Sequence, residues 1–166
     1  VSREKGDAMI TSLKGIGIGV FTADCVPLIF ADKTGTVVAV VHAGWRGTLS
    51  QISKATLIEI NKGFGIESSR VSCVIGPSVG GCCYEVSEDV ASQFIDKFKD
   101  WNYFLFRKGN FKYILDLKKA NSIALSKEGV EDVEIINICT KCSSDFHSYR
   151  RDGKNAGKQL SFIGLV

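Results

Sequence analysis

Residues 36–41 form an unbroken run of β-branched and small apolar side chains, Thr-Val-Val-Ala-Val-Val. A strand that faces water on one side alternates polar with apolar residues, and this run does not. It therefore predicts a strand that is buried on both faces of a sheet. The run ends at His42, which begins the segment His-Ala-Gly-Trp-Arg-Gly. An ionisable side chain is thus expected at the end of a rigid strand.

The rest of the chain predicts a mixed α/β domain. Its composition is 45% hydrophobic and 23% charged, which is typical of globular proteins. Periodicity and turn residues predict further strands at 15–22, 26–31, 70–75, 133–138 and 160–165, a hairpin formed by 104–106 and 111–115, and helices at 49–64, 87–98 and 116–127. No repeat, linker or low-complexity segment interrupts the sequence, so residues 1–166 are expected to form one domain.

Charge and hydropathy narrow the classes of partner. The net charge of +3 is small and both signs are interspersed, which argues against a nucleic-acid partner. No apolar run approaches the ~18 residues that cross a membrane, so no membrane partner is expected. The chain begins Val-Ser-Arg-Glu without an initiator methionine or a secretory signal pattern. We expect a cytoplasmic protein whose natural chain has an additional N-terminal segment.

The six cysteines predict reduced thiols rather than a disulfide framework. Cys139 and Cys142 form a single C-x-x-C motif. A zinc ribbon needs a second pair at suitable spacing, and the adjacent Cys82 and Cys83 are a poor substitute. A redox role for the motif is also disfavoured, because redox motifs of this type usually open a helix early in a βαβ unit.

Polar residues at strand ends are the strongest functional signal. Asp24 and Cys25 separate two apolar stretches, and His42 ends another. A thiolate and an imidazole suit zinc or copper, and they also suit a nucleophile–base pair. The alternative is a buried cysteine and a histidine that never meet.

Arg46 lies between Trp45 and the predicted helix start. Backbone donors and the helix dipole favour an anion there, and a guanidinium would hold it in a bidentate contact. The glycines at 44 and 47 indicate a tight backbone path, which favours this interpretation. The alternative is a solvated arginine that stacks on the indole.

Four motifs in order resemble the laccase-domain family, also called the multicopper polyphenol oxidoreductase or YfiH family. They are Thr22-Ala-Asp-Cys-Val-Pro27, His42-Ala-Gly-Trp-Arg-Gly47, Gly76-Pro-Ser-Val-Gly80 with Cys83-Tyr-Glu-Val86, and Cys139-Thr140 with Ser148-Tyr-Arg-Arg151; Gly6-Asp-Ala-Met-Ile-Thr11 adds an upstream match. The similarity spans nearly the whole chain.

The resemblance implies a four-layer α/β/β/α fold, with two mixed sheets face to face and helices outside. It also implies a mononuclear metal site, usually zinc and sometimes copper, with one Cys and two His ligands. Cys25 and His42 match two of these ligands. The other His belongs to a Gln-x-His motif that lies upstream of Gly6 in the family, so it is expected upstream of Val1.

Two activities are associated with the family. One is copper-dependent oxidation of polyphenols. The other is phosphorolysis of adenosine, inosine and methylthioadenosine, together with adenosine deamination. Laccase-type reduction of oxygen needs several coppers, and the chain has only two histidines. The purine interpretation is therefore favoured, with a nucleoside and phosphate as small-molecule partners.

The resemblance also leads to predicted roles. Arg46 is the candidate phosphate ligand and Asp24 the candidate for proton handling, while Trp45, Tyr84 and Tyr149 are candidates for stacking on the base. Two other hypotheses remain open. One is a hydrolase that uses Cys25 and His42; the other is a non-enzymatic protein whose metal only stabilises the fold.

Overall fold

The computed structural model describes residues 6–166, which fold around a five-stranded mixed sheet. Its strand order is β1-β4-β3-β5-β9. Their bounds are β1 Ala8–Thr11, β3 Val26–Asp32, β4 Val38–Ala43, β5 Val71–Ile75 and β9 Asp132–Ile135. Neighbouring strands are antiparallel except β5 and β9, which are parallel.

Two smaller antiparallel sheets and five α-helices complete the described fold. One small sheet pairs β2 (Gly17–Thr22) with β10 (Gln159–Gly164), and the other has the order β6-β8-β7, formed by Glu85–Ser87, Lys112–Leu115 and Leu105–Gly109. The helices are α1 Trp45–Leu49, α2 Ile52–Phe64, α3 Glu88–Lys97, α4 Leu117–Lys127 and α5 Tyr149–Asp152. The prediction of a mixed α/β fold with several sheets is confirmed.

Strand β4 is buried on both faces, as its composition predicts. Ala39 and Val41 belong to one core together with Leu57 and Ile60 of α2. Because side chains alternate along a strand, the equally buried Val40 points to the opposite face. The β2–β10 sheet covers that face. The strand therefore lies between a helix layer and a second sheet, which fixes the direction of the side chains at its end.

The predicted helix over 49–64 is divided in the structure. Gln51 adopts a left-handed conformation with φ of 57° and separates α1 from α2. The break gives the short α1 its own direction. In that direction Thr48 accepts a buried hydrogen bond of 2.9 Å from the side chain of Asn121 in α4. A hydrogen bond between two helices that are distant in sequence thus accompanies the break in the continuous apolar periodicity.

Several other boundaries differ from the predicted ones; β4, for example, spans Val38–Ala43 instead of 36–41. The hairpin turns at Asn110 and Phe111, which both have positive φ, so Phe111 lies in the turn and not in the second strand as predicted. Strand β9 ends at Ile135, three residues before the predicted end, and the chain then continues as a loop into the C-x-x-C segment. Within the described residues, no helix combines the length and apolar character needed to cross a membrane.

The turn after β3 is organised by the buried carboxylate of Asp32. It accepts backbone hydrogen bonds from Thr34 at 2.9 Å and from Thr36 and Val37 at 2.6 Å each. The hydroxyl of Thr34 donates to it as well. Burial alone would raise the pKa of this carboxyl, but the hydrogen bonds prevail and lower it to about 2.

We expect Asp32→Asn to lower the free energy of unfolding by about 1–3 kcal/mol at neutral pH, because a charged acceptor of several hydrogen bonds is lost. The pKa of the folded state lies below the ordinary value of 3.8. The stabilising effect of the carboxylate is therefore fully present above that value and is lost as the pH falls towards about 2. Denaturant unfolding across this range measures it.

A matched control is Asp132→Asn, which changes an exposed carboxylate at the start of β9. It should have little effect on stability at any pH. A stability difference between wild type and Asp32→Asn that does not change between pH 5 and pH 2 would contradict this account of the turn.

Candidate functional site

The register of β3 and β4 brings Cys25 and His42 to one end of the sheet. Pro27 is paired with His42, and Val26 with Ala43. One residue further along this register, Cys25 lies opposite Gly44. Because side chains alternate, Cys25 is then on the same face of the sheet as His42.

Both side chains border the small space beside Gly44. A Cβ atom built on Gly44 would lie 3.0 Å from the sulfur of Cys25 and 3.9 Å from Cε1 of His42. Any side chain at this position would fill the space between them. Glycine at position 44 therefore keeps open the region where a thiol and an imidazole meet.

Asp7 orients the imidazole of His42. Its carboxylate lies 3.0 Å from Nδ1 of the ring, and its backbone oxygen accepts a 2.7 Å hydrogen bond from the backbone N–H of His42. A carboxylate on Nδ1 leaves Nε2 as the nitrogen with a free lone pair. This arrangement is common for metal-binding histidines, whose outer nitrogen is held by an acceptor. Sequence reasoning missed Asp7 as a site residue, although it lies in a motif that carried the resemblance.

The thiol of Cys25 is in an environment that disfavours the free thiolate. Burial raises its pKa, and the negative charges of Asp24 and Asp7 raise it further. A nucleophilic cysteine requires the opposite shift. A bound cation would offset both effects, because it stabilises the thiolate directly. The surroundings of Cys25 thus favour metal ligation over a nucleophile–base pair.

Asp24 joins three segments of the chain beside Cys25. Its carboxylate accepts hydrogen bonds from the hydroxyl of Thr140 at 2.7 Å and from the backbone N–H of Arg150 at 2.6 Å. Its backbone oxygen accepts a third, of 3.0 Å, from Val79. The residue has φ of 87°, a conformation that Asp tolerates better than most residues. Both carboxylate oxygens thus have partners within the protein.

Tyr84 and Arg150 form a further pair next to this group. The guanidinium of Arg150 lies 4.8 Å from the ring centroid of Tyr84. Burial raises the pKa of Tyr84, and the adjacent Arg150 partly opposes that effect. The backbone N–H of Arg150 donates to the carboxylate of Asp24, the residue before Cys25, so the pair lies beside the loop that carries the thiol. Arg150 carried part of the family resemblance, but sequence reasoning gave it no role.

Arg46 lies exposed on α1, immediately after the Cys25–His42 region. Its guanidinium stacks 4.2 Å from the centroid of the Trp45 ring. This is the packing that the sequence offered as the alternative to an anion contact. Stacking leaves the N–H edge of a guanidinium free to donate, so the role of Arg46 as a phosphate ligand stays a prediction.

The structure corrects the interpretation of the other cysteines. The sulfurs of Cys82 and Cys83 lie within 4.8 Å of those of Cys139 and Cys142, although about 60 residues separate the two pairs. The fold thus brings together two pairs that their spacing in sequence does not join, so the vicinal pair lies close enough to the C-x-x-C motif to share a ligand with it. His147, the remaining histidine, packs its ring over Gly157.

Comparison with known proteins places this site in a family. A family model described as multi-copper polyphenol oxidoreductase laccase matches residues 1–166. The chain belongs to this family. The four motifs that carry the resemblance include Asp24, Cys25, His42 and Arg150.

Relatives of this laccase-family chain carry names from purine metabolism. A protein of Clostridium acetobutylicum named purine nucleoside phosphorylase is 40% identical over 161 residues, which cover 96% of this chain and 66% of the relative. A protein from an unknown prokaryotic organism, named adenosine deaminase RL5, is 38% identical over 96% of this chain and 61% of its own length.

The fold is similar to solved structures of the family. The crystal structure of the hypothetical protein YfiH of Bacillus licheniformis superposes with a TM-score of 0.92 at 30% identity, covering 96% of this chain and 61% of that one. The chain thus spans about three fifths to two thirds of the length of these three proteins.

We expect Asp24→Asn and Thr140→Val each to destabilise the fold by about 1–3 kcal/mol, because each leaves a buried polar partner poorly satisfied. Asn keeps the tolerance for positive φ, so the backbone conformation is not the cause. The double variant should be less destabilised than the sum of the single ones, since asparagine keeps one acceptor oxygen, which can face Arg150 once residue 140 no longer donates. Denaturant unfolding of all four proteins measures the coupling; strictly additive effects would contradict the contact.

Proposed function

We propose that the protein is a metal-dependent purine nucleoside phosphorylase that acts on adenosine, inosine and methylthioadenosine and also deaminates adenosine. The observation that carries the proposal is the meeting of Cys25 and His42 beside Gly44 at the end of β3 and β4. The names of the relatives supply the reaction class. A site with one thiol and one imidazole suits the chemistry of a single metal ion.

The residues present fit a zinc or copper ion. Cys25 would offer its sulfur and His42 its Nε2, while Asp7 holds the imidazole through Nδ1. The family resemblance implies a second histidine as the third ligand. When bound, such an ion supplies a Lewis acid. The raised pKa of Cys25 also predicts that metal loading weakens as the pH falls, because protons compete for the thiolate.

Phosphorolysis requires two contacts that this chain can make. A phosphate oxygen attacks C1′ of the ribose, the bond from C1′ to the purine nitrogen breaks, and its electron pair leaves with the base. Arg46 is our candidate for holding the phosphate, since a guanidinium can donate two parallel hydrogen bonds to a phosphate group. The aromatic side chains of Trp45, Tyr84 and Tyr149 remain the candidates for stacking on the base.

Asp24 has a different role in our proposal from the one its type suggested. A carboxylate next to Cys25 is a candidate for proton handling in either reaction. Its two internal hydrogen bonds instead favour a positioning role, in which it fixes the loop that holds the thiol. Arg150, stacked on Tyr84 beside the same loop, becomes a second candidate for contact with an anionic substrate group.

Oxidation of polyphenols is the second candidate function, because it is the activity in the family description. Oxygen reduction by laccases uses several coppers. Besides His42, the chain has one other histidine, His147, and its ring packs over Gly157. Measuring phenol oxidation on copper-loaded protein, in parallel with the purine assays, decides between the two functions.

We expect Arg46→Ala to slow inosine phosphorolysis by about 10- to 100-fold, because a charge-assisted contact to phosphate is removed. Adenosine deamination uses water instead of phosphate and should change by less than about threefold. Metal content and folding should stay as in wild type. Both rates, at several phosphate concentrations, are measured on the full-length, metal-loaded protein.

Two arginine variants complete the design. Arg150→Ala tests the second candidate, and Arg107→Ala changes an exposed arginine on β7 as a control. An equal loss of both activities in Arg46→Ala would show that Arg46 supports the site without contacting phosphate. If metal-loaded wild type has neither activity, the purine proposal is wrong.

A further inference from the structure

Four cysteine sulfurs form a compact cluster away from the Cys25–His42 pair. Cys82, Cys83, Cys139 and Cys142 place all their sulfurs within 4.8 Å of one another. The sulfur of Cys142 lies 3.8 Å from that of Cys82 and 3.3 Å from that of Cys83. Sulfurs bound tetrahedrally at a Zn–S distance of 2.3 Å are separated by about 3.8 Å. The spacing of the cluster therefore matches that of one shared ion.

Local backbone geometry explains how adjacent cysteines can both face one point. The backbone N–H groups of Cys83 and Tyr84 both donate to the oxygen of Gly80, at 2.9 and 3.0 Å, so the chain turns tightly through 80–84. On the other side, the N–H groups of Cys142 and Ser143 both donate to the oxygen of Cys139, at 3.1 and 3.0 Å. Two facing turns thus present two sulfurs each.

Gly80 brings backbone close to the sulfurs. Its N–H donates a 3.2 Å hydrogen bond to the sulfur of Cys139. A Cβ on Gly80 would lie 3.2 Å from the sulfur of Cys82 and 3.5 Å from that of Cys139. A backbone N–H aimed at a sulfur stabilises negative charge there, as outer contacts do in metal–thiolate sites.

A buried cation lies beside the cluster. Lys118 is only 4% exposed and donates a 3.0 Å hydrogen bond to the backbone oxygen of Ile138, next to Cys139. Burial lowers the pKa of this ammonium, and the negative charge of Asp116, followed by those of Cys139 and Cys82, opposes that effect. A zinc ion with four thiolates carries a net charge of −2, so a buried lysine at this place compensates part of that charge.

We propose that Cys82, Cys83, Cys139 and Cys142 bind one zinc ion as a closed structural site. Soft thiolate ligands in a tetrahedral set of four are typical of structural zinc. With four protein ligands no position is left for substrate, so the site stabilises the fold and does not catalyse. Binding deprotonates the thiols and releases their protons to the solvent.

Such an ion would stabilise the loops that hold Asp24. The loop of Cys82 and Cys83 includes Val79, which donates to the backbone oxygen of Asp24. The loop of Cys139 includes Thr140, which donates to its carboxylate. Zinc that joins the two loops would therefore keep Asp24 and its neighbour Cys25 in place. Removing it should lower both thermal stability and the activity of the first site.

The test measures the zinc content of a variant that lacks the Cys25–His42 pair. In Cys25→Ser/His42→Ala, the purified, reduced protein should retain about one zinc per chain, which reports the thiol cluster alone. Adding Cys82→Ser and Cys142→Ser to this variant should abolish the zinc. Cobalt substitution of the retained site should give the intense visible absorption of a thiolate-coordinated tetrahedral ion.

Two further variants separate ligation from folding. Cys142→His should keep zinc, because three cysteines and one histidine are also a common structural zinc set, and Cys142 is exposed enough for the ring. Cys142→Ser should lose at least about tenfold in zinc affinity. Cys73→Ala, which removes a core thiol outside the cluster, should leave the zinc content unchanged.

Three results would overturn the proposal. The first is a protein mass lower than that of the fully reduced chain by the hydrogens lost when a disulfide forms among these four cysteines. The second is zinc-supplemented wild type in which all four thiols still react freely with a thiol reagent. The third is equal zinc content with and without Cys82 and Cys142. None of these measurements uses purine turnover. Failure of the proposed enzyme activity therefore leaves this test intact, and the reverse also holds.

Discussion

The buried carboxylate of Asp24 connects parts of the chain that are more than a hundred residues apart. It accepts hydrogen bonds from Thr140 and Arg150, while its backbone oxygen accepts one from Val79. A charged group that is 6% exposed is costly unless its acceptor sites are satisfied. These contacts satisfy them, and they also fix the loop that carries Cys25. The position of the thiol therefore depends on residues from three separate segments.

The central strand could be predicted because its signal is local. Residues 38–41 are apolar at every position, and the strand is buried on both faces. Its end at His42 followed directly, and pairing with β3 then set Cys25 on the same face. The start of the helix predicted at 116–127 was also a local signal: the carboxylate of Asp116 accepts a hydrogen bond from the backbone N–H of Lys119 and caps α4.

The features that sequence reasoning missed depend on contacts between distant residues. The vicinal Cys82 and Cys83 do not match the spacing of a metal motif, because spacing describes ligands on one turn. Here two turns from different parts of the chain face each other, and only the fold brings Cys139 to Gly80. The break at Gln51 is a second example, because it lies beside Thr48, which accepts a hydrogen bond from Asn121 on another helix.

The two cysteine sites differ in what a metal ion could do in them. Beside Gly44, this chain offers one thiol and one imidazole, so substrate or water has room to approach an ion there. In the thiol cluster, four sulfurs from two facing turns would enclose an ion completely. The closed cluster lies on the loops that hold Asp24, and Asp24 directly precedes Cys25. A structural ion in the thiol cluster would thus stabilise the geometry of a catalytic ion beside Gly44.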